Sequence, residues 1–185
     1  MLKKTILIIL LLSFLGCSHF KLNHVAVNIG YGKDTKLGNL SKVKKGDSYN
    51  ISTFSVEFIE KKKWSKSIEF NIIDHKYVYV NNNKYYNDHS TSYTVKAWLI
   101  KNFRFKHVDI FTGLGAGFGY MNSDNNRYVY DSKLVSDLGI RFGLQKSFEP
   151  FDIRIEYMFR HFSAIWKDDK GENEDEIRFG VVIPF

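Results

Sequence analysis

The stretch "RHFS", Arg160 to Ser163, places a histidine two residues before a serine near the C-terminal end of a 185-residue chain. A serine hydroxyl is a poor nucleophile until a base takes its proton, and an imidazole that titrates near neutrality suits that task. A carboxylate beside the imidazole would fix its tautomer and stabilise its cation. Three acids follow in "EDE", Glu174 to Glu176. Together these types could perform acyl transfer. Ser163 Oγ would attack an ester carbonyl, His161 would accept the proton and return it to the leaving alcohol, and an acid would hold the imidazole. His-x-Ser is a weak motif alone, so the chemistry depends on whether the surrounding elements bring the three types to one face.

Those elements read as strands. Apolar residues alternate with polar ones in eight segments: Val25 to Tyr31, Phe54 to Phe58, Ile68 to Ile72, Tyr93 to Leu99, Val108 to Tyr120, Leu138 to Leu144, Ile153 to Phe159 and Ile177 to Phe185. Period-two alternation predicts strands with one apolar face. The opposite faces carry Glu57, Glu69, Lys96, Asp109, Asp137, Arg141, Asp152, Arg154, Glu156, Arg160, Glu176 and Arg178, whose charges could neutralise one another in a narrow lumen. An even number of such strands, aromatic residues near their ends and a C-terminal phenylalanine predict an all-β, eight-stranded antiparallel outer-membrane β-barrel, apolar outside. A soluble lipocalin-like barrel would reverse the two faces.

The N-terminal stretch "MLKKTILIILLLSFLGCSHF" has two lysines, an apolar run from Thr5 to Leu15, then small residues. That order predicts a signal peptide over residues 1–18 and a mature barrel over residues 19–185. "FLGC" resembles a lipoprotein cleavage site and makes Cys17 a candidate for lipidation, although Phe14 replaces the usual small aliphatic residue. Cleavage after Ser18 is the alternative. Either way no cysteine pair remains for an internal disulfide or a cysteine-based zinc site.

His24, His75, His89 and His107 lie in separate segments without ligand spacing, so neither a metal site nor a cofactor is expected. The formal net charge is +7. Its lysines are scattered and form no concentrated patch interleaved with aromatics, so nucleic acid is not an expected partner and a solvated or membrane-facing surface is. "FTGLGAGFGYM" is rich in glycine, but no helix pattern follows it, which excludes a nucleotide-binding turn. Gly113, Gly115, Gly117 and Gly119 share the inward parity and are expected to make room for bulky luminal neighbours.

Connection lengths orient the barrel. The links near Lys62, Lys106 and Glu149 are short, whereas those over Lys33 to Asp47, Asn81 to Ser90, Asn122 to Asp131 and Ala164 to Asn173 are longer and polar. Short turns belong to the periplasmic side, so both termini are expected there, with His161 and Ser163 at the outer end of the seventh strand. Both have lipid-facing parity. On the eighth strand the lipid-facing positions are odd, which selects Asp175 over Glu174 and Glu176. A hairpin centred near Asp168 would set Asp175 opposite His161 and Ser163. Polar side chains at a hydrocarbon border are costly and point to function. A triad facing lipid meets only a substrate already in the membrane, and the esters available in the outer leaflet are the acyl chains of lipid A.

"RHFS", an acid twelve residues after the serine at Asp175, a glycine-rich earlier strand and a terminal strand ending in Phe185 resemble the lipid A 3-O-deacylase family of eight-stranded outer-membrane barrels. The resemblance is most specific in the C-terminal stretch and architectural elsewhere. It implies an esterase that removes the 3-O-linked acyl chain of lipid A within lipopolysaccharide, with His161 as base, Ser163 as nucleophile and Asp175 at the position where glutamate is the better-known acid. The chain departs from the pattern at Ala164, the oxyanion neighbourhood, where the family has asparagine. Gly171 and Asn173 are the nearest residues to the family's downstream pair. Loss of an oxyanion donor costs about 100-fold to 1000-fold in turnover, so another group would have to compensate. The competing reading is a non-catalytic barrel whose loops bind surface molecules.

Overall fold

A computed structural model describes residues 21–36, 48–81, 84–123, 134–164 and 172–185. All eight alternating segments are strands: β1 (His24–Lys36), β2 (Ser48–Glu60), β3 (Trp64–Asn81), β4 (Lys84–Arg104), β5 (Asp109–Ser123), β6 (Leu134–Phe148), β7 (Phe151–Ala164) and β8 (Glu172–Pro184). Each pairs antiparallel with the next and β8 returns to β1, so the sheet is a closed barrel. Closure leaves no edge whose backbone groups would lack partners in a membrane.

The faces are those of a membrane barrel. Ile29 and Leu114 are more than 60% exposed, while Glu57, Lys96, Arg141 and Arg178 are fully buried. A continuous belt of exposed Ile, Leu, Phe and Val would be untenable in water and is at home in hydrocarbon. The soluble lipocalin-like alternative, which needs the opposite placement, is thereby overturned.

The lumen is filled. Arg141 Nη2 lies 2.5 Å from Glu57 Oε1, Arg178 Nη1 2.5 Å from Glu69 Oε1, and Lys96 Nζ 2.5 Å from Asp137 Oδ1. Arg154 joins the same Glu57. Trp98 donates its indole N–H to Glu69 Oε2 at 2.8 Å, and the Arg141 guanidinium stands 4.2 Å over the Trp98 ring. Ions taken out of water are tolerated only when paired in this way. Apolar clusters complete the packing: Ile51, Ile73, Met121, Val135 and Phe162 toward one end, and Trp98, Ile100, Phe111 and Met158 nearer the other.

Gly115 makes space for Trp98, as expected of that inward glycine, and so does Gly139 on β6, which the sequence reading did not single out. A Cβ on Gly115 would lie 2.6 Å from the indole, and one on Gly139 2.8 Å from it.

One connection differs from expectation. Asn81 to Ser90 reads as a loop by its Asn, Asp and Ser content, yet β3 and β4 stay paired as far as Asn81 and Lys84. The β-favouring "YVYV" and "KYY" on its two sides outweigh the turn formers. The short links fall at 61–63, 105–108 and 149–150 as read from sequence. The remaining long connections, together with Cys17 and the whole N-terminal signal segment, lie outside the described residues.

Gly115→Val is expected to force the Trp98 indole out of place and block barrel closure. The outward-facing Leu114→Val is expected to be silent. Migration of unheated protein on a detergent gel distinguishes the compact barrel from the open chain.

Candidate active site on the outer face

The C-terminal half of β7 carries alternate residues outward. Arg160 and Phe162 are buried in the lumen, whereas His161 and Ser163 are partly exposed on the outer wall. On β8, Glu174 and Glu176 are buried, and Asn173 and Asp175 are partly exposed outside. The luminal acids are occupied there. Glu174 lies 3.2 Å from His75, and Glu176 lies 2.9 Å from Arg178. Of the three acids in "EDE", only Asp175 therefore faces as His161 and Ser163 do.

The register differs from the expected hairpin by two residues. Asp175 pairs with Phe159, and the residue opposite His161 is Asn173. A slip of two keeps every side chain on its own face, which is why face alternation alone could not detect it. Asp175 sits one diagonal step from His161. It stands opposite Lys33 of β1.

The imidazole is held by the neutral amide. His161 Nδ1 is 2.8 Å from Asn173 Oδ1. An amide oxygen only accepts, so Nδ1 carries the proton and Nε2 keeps its lone pair, the form required of a base. Asn173 thus fixes the tautomer, a task the sequence reading assigned to Asp175. The signal was available, since Asn173 shares the outward parity of Asp175.

Ser163 is held by a residue absent from the sequence reading. Its Oγ lies 2.7 Å from Ser136 Oγ, across the β6–β7 pairing that sets Ser136 opposite Ser163. Ser136 also donates to the Ser163 carbonyl oxygen at 3.2 Å. Among the described residues no hydrogen bond joins His161 to Ser163. Residues two apart on a strand are separated by about 7 Å along the backbone, so the two side chains must lean together for proton transfer. Such contacts are commonly long before substrate binds. Ala164, the expected oxyanion neighbourhood, is the last residue of β7 and pairs with Val135; its side chain lies outside the described residues.

The outer wall around these groups is apolar. Leu138 stands opposite His161 and Ile140 opposite Phe159, with Leu138 and Ile140 well exposed. A small polar cluster at the border of a hydrocarbon-facing wall can meet the ester of a lipid while its chains lie on the apolar strands below.

An eight-stranded antiparallel barrel, apolar outside and charged within, belongs to the outer-membrane class. Among solved structures it is similar to Neisserial surface protein A, at 14% identity and a TM-score of 0.59 over 88% of this chain and 97% of that one. It is also similar to the outer membrane enzyme PagL, at 13% identity and a TM-score of 0.51 over 86% and 99% of the two chains. The N-terminal β-barrel domain of Pseudomonas aeruginosa OprF matches at 16% identity with a TM-score of 0.50, over 88% and 98%. A search of curated protein sequences returned no match. The profile of lipid A 3-O-deacylase (PagL) matches residues 49–181, well over half of the chain, and the protein belongs to that family.

Nitrogen-15 spectra of histidine-labelled protein in detergent are expected to show His161 as the neutral Nδ1–H tautomer. Asn173→Ala should shift its signals toward those of a freely exchanging imidazole.

Proposed function

We propose that the protein is an outer-membrane esterase that hydrolyses an ester-linked acyl chain of lipid A, the 3-O chain by its family. The observation that carries this reading is the placement of Ser163, His161, Asn173 and Asp175 on one lipid-facing patch, where a membrane barrel has no structural need for them. Fold alone would not carry it, because the same architecture serves a surface protein and the barrel domain of OprF as well as an enzyme.

In this reading residues 1–18 are an export signal, both termini face the periplasm and the patch lies at the outer leaflet. The short links at 61–63, 105–108 and 149–150 support that orientation, since the patch lies at the far end of β7 from the last of them. Lipid A is the outer-leaflet lipid whose esters lie at that depth.

Ser163 acts as nucleophile. His161 takes its proton on Nε2, gives it to the departing sugar oxygen, and then activates water to release the acyl group. Asn173 keeps the imidazole in the required tautomer. Asp175 supplies the negative charge that favours the imidazolium from one diagonal step away. No cofactor takes part.

The test is release of fatty acid from purified lipid A, followed by mass spectrometry, with the refolded full chain. The native protein is expected to release one ester-linked chain and Ser163→Ala none; equal lipid profiles for the two would remove the reading in favour of a non-catalytic barrel. Asp175→Asn is expected to lower the rate about tenfold or more, the effect of ~1.4 kcal/mol of lost imidazolium stabilisation. Glu176→Gln and Glu174→Gln, compared at equal folded amounts, are expected to lower it less, because their side chains lie on the other side of the wall.

A further inference from the structure

The hydroxyl of Ser163 is held by a second serine. Ser136 Oγ lies 3.2 Å from the Ser163 carbonyl oxygen, to which it can donate, and 2.7 Å from Ser163 Oγ, a contact in which either hydroxyl can be the donor. Ser136 interrupts the outward row of β6 between Leu134 and Leu138, both well exposed. A hydroxyl in that row faces the same cost at a hydrocarbon border that singled out His161 and Ser163.

We propose that Ser136 is a catalytic residue of the reaction assigned above, supplying the oxyanion hydrogen bond that the family's asparagine gives and Ala164 cannot. The proposal rests on the deacylase reading and adds a residue to it. When His161 removes the Ser163 proton, the Oγ–H bond breaks and Oγ bonds to the ester carbon. The carbonyl electron pair moves onto its oxygen. That oxygen and Ser163 Oγ are then bonded to the same carbon, so a donor within reach of Oγ is also within reach of an oxyanion formed on its side.

The Ser136 hydrogen is then free to turn about the Cβ–Oγ bond toward the oxyanion, a charge-assisted acceptor in place of a neutral one. As the intermediate collapses, the bond to the sugar oxygen breaks, that oxygen takes the proton from His161, and Ser136 can return to the carbonyl. Water repeats the sequence on the acyl-enzyme.

Other donors are worse placed. The luminal arginines and Lys96 lie behind the sheet, and among the described residues no hydrogen bond joins His161 or Asn173 to Ser163. Among the described residues Ser136 is the one side chain hydrogen-bonded to Ser163 Oγ.

The experiment compares native protein, Ser136→Ala, Ser136→Thr and Ser163→Ala in detergent, each shown to be folded by its unheated gel migration. Two rates are read: fatty-acid release from lipid A, and covalent labelling of Ser163 by a fluorophosphonate, whose anionic transition state needs the same donor whatever lipid is the substrate. Ser136→Ala is expected to lower kcat by roughly 100-fold to 1000-fold with KM little changed. Labelling should slow in parallel, and Ser136→Thr, which keeps the hydroxyl, should recover most of both rates.

Native kcat and labelling rate in Ser136→Ala would overturn the proposal while leaving the deacylase reading intact. A loss confined to KM, or shared equally by Ser136→Thr, would likewise overturn it. Labelling of Ser163 without any lipid A hydrolysis by the native protein would end the deacylase reading, and the labelling rates would still decide the role of Ser136. Failure of the native protein in both assays would overturn both.

Discussion

The ion network inside the barrel is the constraint on which the rest depends. Lys96, Arg141, Arg160 and Arg178 are fully buried among Glu57, Glu69, Asp137 and Glu174. Such charges exist in a dry interior only where each meets its opposite, and removal of one partner from a buried pair typically costs about 3–5 kcal/mol. The period of two along a strand then leaves one choice for the other face. With the inner positions committed to charge, the outer positions must satisfy the surroundings, and their Ile, Leu, Phe and Val content makes those surroundings hydrocarbon. Lipid-facing polar residues stand out against that background, and neighbouring ends of β6, β7 and β8 carry several together.

Side chains also occupy the interior beneath the polar patch. Trp98 lies against Gly115 and Gly139, and Phe162 packs with Ile51, Ile73, Met121 and Val135 on the luminal side of the polar patch. Phe162 and Ser163 are neighbours in sequence and face opposite worlds. The inner side of that short stretch of β7 is a rigid support of packed rings and ion pairs, and the outer side presents hydroxyl and imidazole. Rigid elements hold reacting groups more closely than loops do, which suits the proposed roles of Ser163 and His161 two residues apart on one strand.

Face was legible in the sequence and position along the face was not. Alternation assigned His161, Ser163 and Asp175 to the outside and Glu174 and Glu176 to the inside, because each assignment needs only odd or even. Pairing Asp175 with Phe159 instead of His161 required knowing where the hairpin turns, and the loop between β7 and β8 has no two-residue turn signature to fix it. The tyrosines that carry β3 and β4 past the expected loop show the same limit, since Asn and Asp within a strand look like a turn until the paired strand is seen. Ser136 escaped notice for a different reason. A lone serine at a strand end is common, and what distinguishes it is a partner across the sheet. His161 drew attention through its type, whereas Ser136 matters only through its neighbour.

The ion pairs also link residues far apart in the chain: Arg141 and Arg154 both reach back to Glu57, and Arg178 to Glu69. These contacts span different hairpins, so a β1–β2 hairpin entering a bilayer alone would carry Glu57 without Arg141 or Arg154. Insertion of that hairpin alone is thus penalised until β6 and β7 join it. The polar patch is spread over β6, β7 and β8, so it comes into existence only when those three strands have joined the wall.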